Sequence, residues 1–212
     1  LTLAAAARSR RACLESSLSA MPATLLGALA SLRQHGPWEN RPGRGLRLTV
    51  CAHGGWLPTR AAGQTTASLA AELRADRPLV LATGSSAPCT SVYKPIWLDA
   101  GLGGYGAVGT VEYDPRATWW RHERLHRRAL TDLRGFLRGF AAERDDLETA
   151  LLERARQPAE AEARARLTEH AFEHAALLEE RWAGRLASSG RALPLSPQAL
   201  YWHHLSRRDH TP

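Results

Sequence analysis

The hydrophobic pattern of this chain changes its period along the sequence, and that change constrains the fold more than any other feature. Between residues 46 and 83, apolar and polar residues largely alternate, as they do in strands with one buried face. From residue 116 onward, apolar residues recur every three or four positions, which is the spacing of amphipathic helices. We therefore predict an α+β fold in which a sheet precedes a long helical hairpin.

Helices are predicted at both ends of the chain. They are expected over residues 3–18 and 21–32, over 116–156, from Pro158 onward, and over 196–207. The long segment 116–156 and its partner carry facing apolar stripes joined by a short turn, which indicates a helical hairpin. Ser196 and Pro197 are a cap and a first-turn proline for the last helix.

Three strands are predicted to form an antiparallel meander over residues 46–53, 64–73 and 79–83, with His53 at the end of the first on its polar face. The last of them is apolar on both faces and is therefore expected at the centre of the sheet. Residues 92–98 are expected to be extended, and 110–113 to form a short strand. We assign 1–115 to a sheet-bearing portion and 116–212 to the hairpin and last helix, packed on the same domain.

Charge and cysteine content narrow the range of partners. The formal charge is +7, but residues 116–190 carry fourteen basic and thirteen acidic groups, so no basic face indicates nucleic-acid binding. No apolar run approaches the roughly 18 residues that a membrane span needs. Cys13, Cys51 and Cys89 form no CxxC pair, which favours free thiols in the cytoplasm over a disulfide framework or zinc ribbon.

The segment from His122 to His126 matches HExxH, the zinc-binding motif of one class of metallopeptidase. Histidines four residues apart share a helix face, so both imidazoles can reach one metal ion while Glu123 activates its water. A third ligand such as Asp146 requires a helix break near Gly135 or Gly139. Because arginines crowd the motif and His126 lies on the apolar stripe, we favour a pair of packing histidines.

Cys89 offers a second chemical hypothesis, that of a cysteine nucleophile. Such a thiol needs a base to form the thiolate, and His53 is one candidate base. A lone cysteine in a turn is more commonly a small filler, and sequence alone does not show which residues lie close together.

Several segments together carry a more specific pattern. They read Val50-Cys-Ala-His-Gly-Gly55, Gly63-Gln-Thr-Thr-Ala-Ser68 and Thr83-Gly-Ser-Ser-Ala-Pro-Cys-Thr-Ser-Val-Tyr-Lys-Pro95, followed by the helix start Trp119-Trp-Arg-His-Glu123. In this order and at these distances they resemble the second half of the secernin and dipeptidase family of N-terminal nucleophile (Ntn) hydrolases. The resemblance runs from about Arg8 to about Trp182.

This resemblance implies part of an αββα sandwich and hydrolysis of short peptides without a cofactor or metal. In that class an amino-terminal cysteine attacks the amide, and its own α-amine is the general base. The cysteines here are internal, so we expect the nucleophile to belong to a missing amino-terminal half and this chain alone to be inactive.

The residues that match the family's motifs at strand ends are candidates for substrate binding or for support of the site. They are His53, Gln64, Thr65 and Thr66. Their alternative role is to satisfy turn and sheet hydrogen bonds. Lys94 is expected to be a solvated or paired cation. Two other interpretations remain open: a zinc metallopeptidase built on His122 and His126, and a non-catalytic interaction module whose helical hairpin docks another protein. A homo-oligomer of this chain is also left open.

Overall fold

The computed structural model describes residues 7–36, 49–54, 63–75, 77–101, 109–157, 159–188 and 197–209. Within these ranges the chain is α+β. The helices are α1 (Ala7–Ala20), α2 (Leu25–Leu32), α3 (Thr118–Ala129), α4 (Leu133–Ala155), α5 (Ala161–Ser188) and α6 (Pro197–Arg208). The strands are β1 (Ser68–Glu72), β2 (Leu79–Thr83) and β3 (Lys94–Ile96), with a short 3-10 turn at Pro88–Thr90. The expected helix start at Pro158 and the cap at Ser196 lie outside the described residues.

The three strands form one antiparallel sheet with β2 at its centre. Leu81 faces Ala70 of β1 on one side and Pro95 of β3 on the other. The central position predicted for residues 79–83 is therefore confirmed. Leu79, Leu81 and Thr83 are buried, while the positions between them are partly buried, as a central strand with cover on both faces requires.

The predicted membership of the sheet is wrong at two places. Residues 49–52 are not a strand, and His53 makes one isolated antiparallel bridge to Gln64; residues 46–48 lie outside the described part. The sheet takes β3 as its third strand instead, and within the described part of 110–113 there is no strand. Alternation of polar and apolar residues indicates a buried face, but it does not supply a neighbour with which to pair.

The predicted single helix over 116–156 is also wrong, because it is interrupted at residues 130–132. Asp132 begins α4 as its N-cap, with its carboxylate accepting a hydrogen bond from the Gly135 amide at 3.0 Å. A side chain at Gly135 would collide with that carboxylate. Leu130 and Leu133 continue the apolar stripe across the interruption, so the periodicity does not reveal it.

The hairpin is formed by α4 and α5, which pack on β3 and on each other. Phe136 and Phe140 stack in α4, and the Trp182 ring of α5 meets both edge to face. Gly139 lets this ring approach, since an added Cβ would lie 2.5 Å from its Cη2. No helix within the described ranges is long and apolar enough to cross a membrane.

Candidate functional site

A cleft of about 870 Å³ opens between the sheet and helices α3, α5 and α6. Its wall includes Gly54, Gln64 and Ser85 from loops, Lys94 from β3, and Glu123 from α3. The aromatic part of the lining consists of Trp119, Trp120, Phe172 and Trp202. Apolar walls with a few charged or polar groups are typical of small-molecule sites.

Glu123 is a buried anion in the cleft wall. Arg127 Nε donates to its Oε1 at 2.8 Å, and Gln64 Nε2 donates to its Oε2 at 3.1 Å. Burial alone raises the pKa of Glu123, but hydrogen bonds from His126 and other neighbours outweigh it and lower the pKa to about 2. The carboxylate is therefore ionised across the physiological range.

Lys94 contributes a cation to the same cleft. The sequence predicted a solvated or paired cation, and the structure shows that the side chain is not solvated. Its side chain is buried, Nζ donates to Val92 O at 2.8 Å, and the ammonium lies 5.1 Å from the centre of the Phe172 ring. Burial lowers the pKa of Lys94, and the nearby carboxylates of Glu179 and Glu148 oppose that shift.

The four sequence-predicted residues, His53, Gln64, Thr65 and Thr66, have different surroundings. Gln64 lines the cleft, as a substrate-contacting residue would. Thr65 instead joins the chain segments: its hydroxyl donates to Val50 O and accepts from the Ala52 amide, and its carbonyl accepts from Ala87. Thr66 is exposed and is not part of the cleft wall.

His53 lies beneath the cleft wall in a buried group of nitrogen and sulfur atoms. Its Nε2 is 2.9 Å from His35 Nε2, 3.3 Å from Cys89 Sγ and 3.6 Å from Cys51 Sγ. Its Nδ1 is 3.1 Å from His126 Nε2. We call His35, Cys51, His53 and Cys89 the His2Cys2 cluster; each offers one ligand atom, and these atoms lie within 4.8 Å of one another.

Burial controls the protonation of this cluster. It lowers the pKa of His53 to about 4 despite the neighbouring Cys51 thiolate, so the imidazole is neutral. Burial and the adjacent Cys51 raise the pKa of Cys89 well above its usual value. Burial opposes ionisation of Cys51 as well, but the hydrogen bond from Cys89 and the neighbouring His53 and His35 outweigh it, and the pKa of Cys51 is lowered. The two thiols thus differ, with Cys51 ionising first.

The nucleophile hypothesis requires a base close to the Cys89 thiol, and Cys89 Sγ lies 3.3 Å from His53 Nε2. The thiol is nevertheless 3% exposed, and it does not line the cleft. A nucleophile must reach its substrate, so this arrangement does not favour attack by Cys89.

The two histidines of the HExxH match bind different groups. His122 Nδ1 lies 2.8 Å from Glu179 Oε1, and its Nε2 lies 2.8 Å from Ser86 O. Burial lowers the pKa of His122, but the Glu179 carboxylate outweighs this and raises it, so the two residues form a buried ion pair. His126 Nε2 contacts His53 instead, and Asp146 is exposed. This geometry supports the packing role rather than a shared metal.

His35 and Cys51 were not singled out by the sequence patterns. His35 stands at the start of a Gly- and Pro-rich loop, and Cys51 occupied a polar position in the expected first strand. The spacing of the four cluster residues follows no common metal-binding motif. For Cys51 the available signal was its position, with His53 and Cys89, in segments that the resemblance linked. His35 lies outside those segments, so no comparable signal pointed to it.

Comparison with known proteins identified no relative: no family model, no curated protein and no solved structure matches this chain.

Proposed function

We propose that this chain forms the peptide-binding part of a secernin-like cysteine dipeptidase. The observation that carries the proposal is that all four segments of the resemblance contribute to one cleft. Gly54 comes from the first segment and Gln64 from the second. The third segment contributes Thr83, Ser85 and Lys94, and the helix start contributes Trp119 and Glu123.

The charges of the cleft suit an unblocked short peptide. Such a peptide is a zwitterion, with an ammonium at one end and a carboxylate at the other. The ionised Glu123 complements the ammonium, and Lys94 complements the carboxylate. A volume of about 870 Å³ falls within the range of about 300–1,000 Å³ that is common for ligand pockets, so a dipeptide fits with room for side chains.

The proposal assigns binding, not bond cleavage, to these residues. In the family that the chain resembles, the nucleophile is a cysteine, whereas none of Cys13, Cys51 and Cys89 lines the cleft. We therefore expect the 212-residue chain to bind dipeptides without hydrolysing them.

Calorimetric titration with alanyl-alanine tests the proposal. An ion pair or charged hydrogen bond is worth about 1.5–3 kcal/mol, so Lys94→Met is expected to weaken binding about 10- to 100-fold. The matched control is Arg10→Met, which removes one positive charge from the exposed face of α1 and leaves the affinity unchanged.

A second measurement does not depend on the folding of a variant. Amidation of the dipeptide carboxylate is expected to weaken binding to the unmodified chain by a similar factor. N-acetylation of the dipeptide, which removes its ammonium, is expected to have the same effect. If the free dipeptide does not bind, or binds no better than its blocked forms, the proposal is wrong. Dipeptide turnover by the chain itself would refute the assignment of the nucleophile elsewhere.

A further inference from the structure

The crowding around His53 Nε2 is the starting observation. Three polar atoms lie 2.9–3.6 Å from it: His35 Nε2, Cys89 Sγ and Cys51 Sγ. An imidazole nitrogen carries either one proton or one lone pair in the ring plane, so it can serve one good hydrogen bond. Hydrogen bonding therefore does not account for all three neighbours. We propose that the His2Cys2 cluster is a binding site for a single zinc ion.

The distances agree with tetrahedral coordination. Zn–S bonds of about 2.3 Å and Zn–N bonds of about 2.0–2.1 Å place neighbouring ligand atoms about 3.3–3.8 Å apart. The three distances from His53 Nε2 differ from this range by about 0.4 Å at most. The four ligand atoms lie within 4.8 Å of one another, so a pair at that distance must approach by about 1 Å to bind one zinc ion.

The chemistry of the donors selects the ion. Two thiolates and two imidazoles suit zinc, whereas magnesium and calcium prefer oxygen ligands. Two thiolates also neutralise the double charge of Zn²⁺. A neutral centre is what a buried site requires, and the four residues are at most 4% exposed. Binding converts each thiol that is still protonated into a thiolate and releases its proton to solvent.

Two polar groups behind His53, His126 and Glu123, favour its Nε2 as a ligand. The ionised Glu123 lies 3.4 Å from His126 Nδ1, which favours the proton on that nitrogen. His126 Nε2 is then an acceptor for His53 Nδ1–H at 3.1 Å. This leaves the lone pair of His53 Nε2 directed into the cluster. Metal-binding histidines are commonly oriented by a second-shell carboxylate in this way.

The site joins three parts of the chain and is closed. His35 follows α2, His53 forms the bridge to Gln64 with Cys51 two residues before it, and Cys89 lies in the 3-10 turn. Four protein ligands complete a tetrahedral shell, which is typical of structural zinc. Because Gly54 is next to His53 and lines the cleft, the ion anchors the cleft wall. The inference stands independently of the proposed peptide binding.

Metal analysis of the reduced chain, purified without a polyhistidine tag or chelator, provides the first test. We expect one zinc per chain and its loss in Cys89→Ser and Cys51→Ser. The matched control is Cys13→Ser, which removes the partly exposed thiol outside the cluster and retains the zinc.

Cobalt titration of the zinc-depleted chain provides a test that needs no variant. We expect the visible bands of tetrahedral Co²⁺ with a thiolate-to-cobalt charge-transfer band, both abolished by equimolar Zn²⁺. Three results would overturn the proposal: no zinc and no cobalt bands in reduced protein, zinc lost from Cys13→Ser, or a Cys51–Cys89 disulfide that forms equally with Zn²⁺ present.

Discussion

Replacement of Gly139 by Ala probes the contact that holds the helical hairpin together. In a helix interior, Ala is more favourable than Gly by about 1 kcal/mol. At Gly139 the new Cβ would lie 2.5 Å from Cη2 and 3.2 Å from Cζ2 of Trp182, too close for either atom. Overpacking of this kind costs about 1–3 kcal/mol, so the net change in unfolding free energy is a loss of about 0–2 kcal/mol.

Gly184 supplies the matched control. It lies in α5, it is exposed, and nothing within 4 Å would meet an added Cβ. Gly184→Ala therefore gains the helix propensity without the collision, and its unfolding free energy should rise by about 0.5–1 kcal/mol. The two variants are expected to differ by about 1–3 kcal/mol.

Urea unfolding followed by circular dichroism measures both changes. For a chain of this length, 1 kcal/mol corresponds to about 2–4 °C in the thermal midpoint, which gives an independent estimate. In a Trp182→Phe background the colliding atoms are withdrawn, so the penalty of Gly139→Ala should shrink. Equal stability of Gly139→Ala and Gly184→Ala would refute the packing of α4 against Trp182.

Two further predictions concern the start of α4 and the cleft. Asp132→Ala removes the cap of the Gly135 amide and should lower the unfolding free energy by about 0.5–2 kcal/mol. Asp132→Asn keeps a capping oxygen and should retain most of the lost stability. Equal losses in both variants would contradict the capping role. The pKa of Glu123 is about 2 in the folded chain, below the ordinary 4.5. The ionised carboxylate therefore contributes to the free energy of unfolding above pH 4.5, and this contribution is lost as the pH falls towards 2. The full loss amounts to roughly 3 kcal/mol, of which about 2 kcal/mol falls between about pH 6 and about pH 3. Urea unfolding over that range should show a shallower acid dependence in Glu123→Gln than in the unmodified chain. Parallel curves would refute the ionised carboxylate.

Part of the candidate site could be predicted from the sequence and part could not. His53 and Gln64 were selected from the resembling segments, and Gln64 lines the cleft. His35 and Cys51 were not selected, because no short-range spacing connects them with Cys89. The HExxH match attracted a metal hypothesis, yet His122 pairs with Glu179 and only His126 approaches the His2Cys2 cluster. A helical motif specifies which side chains share a face, not what that face meets.

The sequence by itself determined the α+β class, the central position of β2 and the pairing of α4 with the helix that follows it. These features depend on hydrophobic period, and a period is expressed by residues that are neighbours along the chain. Contacts between distant segments decide the choice of β3 as the third strand and the meeting of His35, Cys51, His53 and Cys89; their energies exceed local preferences and leave no periodic trace in the sequence. The helix break before Leu133 differs, because its cap by Asp132 is local, but that cap leaves the hydrophobic period unchanged.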